Sequence, residues 1–109
     1  MNRQQTQLQH GDVLLQPVAR LPKDAVAVPR RSGRLILAEG EATGHHHTVT
    51  DQGAALYQIK GELYLEVTSE AVTITHEEHK PITVPAGVYK VGQVREYDYF
   101  AEMERRVVD

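Results

Sequence analysis

The stretch Ala55-Leu56-Tyr57-Gln58-Ile59-Lys60-Gly61-Glu62-Leu63-Tyr64-Leu65-Glu66-Val67-Thr68 decides the fold class. Tyr57, Ile59, Leu63, Leu65 and Val67 fall on odd positions, while Gln58, Lys60, Glu62, Glu66 and Thr68 fall on even ones. A period of two is that of half-buried β-strands; a helix would space its apolar residues by three and four. Gly61 breaks the run, so the segment is a hairpin. Taking the odd face as the buried one predicts a three-residue loop, Lys60-Gly61-Glu62, because that loop sets Ile59 opposite Leu63.

The same period recurs on both sides. Downstream, Val72-Thr73-Ile74-Thr75-His76 alternates, a polar turn follows at Glu77-Glu78-His79-Lys80-Pro81, and Ile82-Thr83-Val84 alternates again. Pro85-Ala86-Gly87 reads as a tight turn before an extended segment from Val88 to Val94. Upstream, Val13-Leu14-Leu15 is a short strand stopped by Pro17, and Ala19 to Arg31, with Pro22 and Pro29, reads as a loop. Arg34 to Ala38 makes a further strand, Glu39 to Gly44 turns the chain, and His45 to Thr50 extends again. Only Asp98 to Val107, with Tyr99, Phe100, Met103 and Val107 at helical spacing, predicts a short C-terminal helix. Strands every 8 to 12 residues predict an all-β domain, a small β-barrel or sandwich.

The chain has 109 residues, enough for one core. Residues 1–10 are polar and Gln-rich and read as a flexible N-terminal arm, leaving residues 11–109 as a single domain. Apolar residues make up 40% of the chain and charged ones 25%, a globular and not a disordered balance. Twelve Lys and Arg stand against fifteen Asp and Glu, with no basic stripe, which argues against nucleic acid as a partner. No apolar run reaches the roughly 20 residues of a membrane helix, and no signal peptide is visible, so a cytoplasmic location is expected. Cysteine is absent, which excludes disulfides, thiolate metal sites and thiol nucleophiles.

Histidine is distributed unevenly. Of six, three are His45, His46 and His47, and two more are His76 and His79. On a strand His45, His47 and Val49 share one face, taken as the inner one, while His46 points out and receives no role. His76 shares a face with Val72 and Ile74. Histidines two apart on a strand have Cα atoms roughly 7 Å apart, close enough for both rings to reach one ion. His45, His47 and His76, with His79 as a fourth, are therefore the candidate ligands of a divalent ion, Zn, Fe, Ni or Mn. Glu77 or Glu78 would serve as a fourth ligand or catalytic base. His10 is assigned to solvent with the arm.

Other chemistry finds less support. Ser32 and Ser69 lie outside any nucleophile-elbow pattern, and Gly40 to Gly44 lacks the Lys-Ser/Thr of a phosphate loop. Arg30, Arg31 and Arg34 form a small basic group that would meet an anionic ligand if their loop folds over the barrel mouth.

Gly40, His45-X-His47, the run from Ala55 to Val67, and Ile82-Thr83-Val84-Pro85-Ala86-Gly87 resemble the two strand-pair motifs of the cupin superfamily, over roughly residues 33–94. The resemblance implies a small double-sheet barrel with an internal metal or ligand site. Ala54 stands where the family's metal-binding Glu is expected, and Lys90 where its second-motif His is expected. Only His45-X-His47 carries over, which leaves His76 or His79 to complete a site of different arrangement. The chain is also similar to short bacterial and phage proteins, a likeness that implies no activity. Two functions remain: a metal site acting on or sensing a small polar molecule, or a non-enzymatic binding or assembly module, phage-related, with structural histidines. In the second, the arm docks on a neighbouring subunit of a homo-oligomer.

Overall fold

The computed structural model describes residues 7–39 and 46–93. Among these residues there are eight strands: β1 (Leu8–His10), β2 (Val13–Val18), β3 (Val26–Val28), β4 (Leu35–Glu39), β5 (His46–Val49), β6 (Ala54–Ile59), β7 (Glu62–His76) and β8 (His79–Gln93). All pair antiparallel, in the order β1-β2-β8-β7-β5-β4, with β6 also on β7 and β3 on β6. The path does not close among the described residues, so of the two architectures expected, the sandwich is the one formed. The segment expected as a C-terminal helix, and His45, lie outside the described residues.

Two fifteen-residue strands organise everything else. The first half of β7 pairs with β6, and Thr75 near its end pairs with Thr48 of β5. Its partner throughout is β8, and the register slips between Val67 and Ala71. At the slip the N–H groups of Thr68 and Ser69 both donate to the Gly53 carbonyl, at 2.8 and 3.2 Å. Two donors on one acceptor mark a bulge, and a bulge bends a strand and raises its twist. The bend lets one hairpin serve two layers. Buried positions on β7 accordingly change parity, from Leu65 and Val67 to Val72 and Ile74.

Pro85-Ala86-Gly87, expected as a turn, lies inside β8, where Pro85 opposes Ala71 and Gly87 opposes Val67 across this bend. Gly87, at φ 149°, takes the conformation that the corner requires. Tyr89 is 1% exposed, and its hydroxyl donates to the Pro85 carbonyl at 2.7 Å, so the corner is tied from within.

The β6–β7 hairpin corrects the sequence reading. Ile59 pairs with Glu62, so the loop is the two-residue Lys60-Gly61, at φ 53° and 79°. Positive φ at both positions is the type I′ pattern, whose twist matches the flanking strands. This register sets Leu56 opposite Leu65 and Ala54 opposite Val67, and these four are the buried ones. Tyr57 and Ile59 lie on the other face. Reading one parity through the whole hairpin overlooked Leu56, because an even-numbered loop reverses parity between the two strands.

Three smaller corrections follow from pairing. β2 continues through Pro17 to Val18, with Pro17 opposite Tyr89. The expected loop over residues 19–31 contains β3, which pairs with β6. The sheet begins before residue 11, because β1 pairs with β2 through the turn Gly11-Asp12. The core comprises residues from both layers, with Val13, Leu15, Val49, Leu65, Ile74 and Val84 fully buried.

Candidate metal centre

Strand pairing lays three histidines in a row. The β7–β8 hairpin turns on Glu77-Glu78 alone, so His76 directly opposes His79 and their side chains share a face. On the other side of β7, Thr48 opposes Thr75, and one step along this register brings His47 beside His76. The ring centroids are 4.4 Å apart for His47 and His76, and 4.6 Å for His76 and His79. Each of the three offers a nitrogen within 4.8 Å of the others. Their burial is graded: His47 is buried, His76 half-buried and His79 exposed, so the row runs from the core to solvent.

A fourth ring comes from the other layer. His10, expected in solvent, is 2% exposed at the end of β1, and its Nδ1 lies 3.0 Å from Nδ1 of His47. Its Nε2 lies 2.8 Å from the Lys80 carbonyl. The turn that follows packs directly on the row. A Cβ built on Gly11 would lie 2.7 Å from Nε2 of His79 and 3.0 Å from Cε1 of His47, and Gly11 also has φ 61°. Only glycine meets both conditions. Asp12, beside it, places Oδ1 3.1 Å from Nε2 of His47 and Oδ2 2.9 Å from the Gln93 amide nitrogen.

These contacts can be counted in protons. The Lys80 carbonyl only accepts, so His10 holds its proton on Nε2 and offers a lone pair at Nδ1. His47 then donates from Nδ1, and only its imidazolium has a second proton for Asp12. Burial opposes that form and pushes His47 down to about 4, with His76 and His10 acting in the same direction and Asp12 only partly opposing. Burial also lowers His10, the Lys80 carbonyl opposing and His79 and His76 adding to the effect. For Asp12 burial acts upward, but hydrogen bonds from Gln93, its own N–H and His47, together with the charge of His47, hold the carboxyl below its ordinary value. At neutral pH two rings thus have two protons for three contacts, and one His47 nitrogen turns a lone pair toward an electron-rich neighbour. A cation at that nitrogen removes the mismatch.

Of the residues expected at the site, the structure gathers His47, His76 and His79. Glu77 and Glu78 are exposed in the hairpin turn. The Glu78 N–H donates to Nδ1 of His76 at 2.9 Å, and a Glu77 carboxylate oxygen accepts from the His46 N–H at 3.3 Å. His10 and Asp12 were missed. The signal was present: Gly11-Asp12 is a hairpin dipeptide, and pairing across it sets His10 opposite Val13.

The fold and site define an all-β sandwich with an interlayer histidine cluster. The chain belongs to the family described as domain of unknown function DUF8820, which matches residues 9–94. That match includes β1's His10 and the whole histidine row, and it gives the cupin likeness no support beyond a compatible all-β fold. No curated protein and no solved structure matches the chain. Among the described residues no helix is long and apolar enough to cross a membrane.

Proposed function

We propose that this protein binds a divalent metal ion through His47, His76 and His79, and that the loaded site acts on or senses a small polar molecule. The observation that carries this reading is the convergence of three imidazoles, from three adjacent strands, within 4.8 Å. Three neutral nitrogen donors suit Zn(II), Ni(II), Fe(II) or Mn(II), and they leave a coordination position for water or substrate. His10 and Asp12 stand behind His47 as the outer partners that orient a ligating imidazole. Glu77 and Glu78, next to His76 in the turn, are the candidate bases for a metal-bound water. A cupin-like metal chemistry carried on the sandwich belongs to this proposal, as do a cytoplasmic location and a homo-oligomeric state.

Loading has a structural consequence. Nδ1 of His76 already accepts the Glu78 N–H. An ion at Nδ1 displaces that hydrogen bond, and an ion at Nε2 moves the ring proton to Nδ1 and breaks it as well. The Glu77-Glu78 turn therefore rearranges on metal uptake. The hydrogen bonds that His10, His47 and His76 already make also favour a second reading, a non-enzymatic binding or assembly module with structural histidines.

The two readings separate by metal analysis of protein purified without an affinity column, followed by calorimetry with Zn(II), Ni(II) and Mn(II). Changing His47, His76 or His79 to Ala should abolish stoichiometric uptake, and His46→Ala should leave it intact. A parent protein that binds none of these ions, or equal damage from His46→Ala, establishes the structural reading instead.

A further inference from the structure

On the outer face of the β4–β5–β7 layer lies a groove of about 350 Å3, lined by Arg34, His46, Thr48, Thr50, Thr75, His76 and Glu77. Its polarity follows from register. Residues 46, 48 and 50 share one face of an extended segment and span roughly 13 Å. Thr48 opposes Thr75, so the antiparallel register brings Glu77 to the His46 end and leaves Thr50 at the other. Arg34 precedes Leu35, which opposes Val49, so the guanidinium side chain starts from the Thr50 end. A cation at one end, three threonines between, and an imidazole with a carboxylate at the other make a graded polar surface.

Two details distinguish this groove from an ordinary solvated strand face. Nδ1 of His46 is shielded from solvent and has no hydrogen-bond partner, so the ring that closes one end of the groove carries an unsatisfied polar atom. The backbone under Arg34 is also fixed in advance. Arg31 and Arg34 exchange both N–H···O bonds, at 2.9 and 3.0 Å, across a turn with Ser32 and Gly33 at positive φ. Arg30 ties that turn to the β5–β6 connection by donating to the carbonyls of Gly33, Asp51 and Ala54, at 3.0, 2.6 and 3.1 Å. The backbone that carries Arg34 therefore needs no ordering when that side chain engages a ligand.

We infer that this groove is a binding site for a small polyhydroxylated carboxylate, an acid of sugar size, with its carboxylate on Arg34 and its hydroxyls along Thr50, Thr48 and Thr75 toward His46. A guanidinium is the side chain that grips a carboxylate with two parallel hydrogen bonds, and threonine hydroxyls both donate to and accept from a polyol. The site goes beyond the metal reading and does not need it, since the ion would sit on the opposite side of the β5–β7 pairing, and what the two sites share is His76 and the adjoining Glu77.

The test is an amide NMR titration of the full chain in EDTA, with gluconate, sorbitol, acetate and inorganic phosphate as separate probes. Gluconate should shift Thr48, Thr50 and Thr75 amides saturably and more tightly than the other three. Arg34→Gln should weaken gluconate roughly tenfold or more while leaving the spectrum of a folded protein. Thr75→Val should weaken gluconate and leave acetate unchanged, whereas His79→Ala should leave gluconate binding as it is. No saturable gluconate shift, a stronger response to phosphate or acetate, or full binding by Arg34→Gln would each overturn the assignment. Because no metal is present in the titration, its failure leaves the metal reading standing, and failure of metal uptake leaves this one standing.

Discussion

His10 and His47 are separated by 37 positions in the chain, yet their Nδ1 atoms lie 3.0 Å apart, both rings buried between layers. Two nitrogens bound to one tetrahedral ion at about 2.0 to 2.1 Å each lie roughly 3.3 Å apart, so this spacing is near that of neighbouring ligands. His10 faces mainly His47; its ring lies 6.4 Å from that of His76. Its place is behind the row, holding His47 against the Lys80 segment of β8.

That relationship predicts a double effect of His10→Ala. The change leaves the Lys80 carbonyl and His47 Nδ1 without their partner, which should cost roughly 1–3 kcal/mol in urea unfolding. It should also weaken Zn(II) binding about 10- to 100-fold without abolishing it, by calorimetry, as loss of an outer partner does. Complete loss would make His10 a ligand.

Acid should destabilise the metal-free protein over a defined window. His47, at about 4 when folded and near 6.5 when unfolded, takes up its proton later in the folded chain. The unfolded state therefore binds more protons between these values, so stability is full above pH 6.5 and falls as pH drops toward 4. His10 is lowered in the same sense and adds to the loss. Urea midpoints in EDTA should fall through this range, and His47→Gln should flatten the decline.

The hairpin register makes a sharp contrast between neighbours. Leu56→Ala and Leu65→Ala should each cost roughly 2–5 kcal/mol, because both residues are buried against the core, at 2% and 0% exposure. Ile59→Ala and Glu66→Ala should cost much less. Comparable losses from Ile59→Ala and Leu56→Ala, measured as denaturation midpoints, would restore the three-residue loop.

Two glycines should prove intolerant for different reasons. At Gly53 an added Cβ would lie 2.2 Å from Oγ of Ser69, on the bulge that bends β7, so Gly53→Ala should lower the melting temperature by several degrees. At Gly61 nothing crowds the added carbon, but φ 79° makes Gly61→Ala cost about 1 kcal/mol through the backbone alone. Pairing Gly53→Ala with Ser69→Gly should recover stability, whereas no neighbouring change should rescue Gly61→Ala.

By itself the sequence determined the strand character of the chain and the inward direction of His47, because side-chain alternation is local and needs only the period of two. It also assigned His76 to the face of Val72 and Ile74 from the same alternation, and the register shift between Ile74 and His76 puts its extra residue on β8, not on β7. What it left open was every relation that depends on how strands meet. The parity of β6 turned on two positive φ angles at Lys60-Gly61, the union of β7 into one bent strand turned on the Gly53 bulge, and Pro85-Ala86-Gly87 became a corner within β8 because its partner strand bends there. The Gly11-Asp12 dipeptide marks the β1–β2 turn, but the contacts of His10 and Asp12 with His47 arise only in the tertiary structure. A buried imidazole on a short strand finds its partners across a layer interface, and no periodicity along its own few residues records which ring will lie opposite.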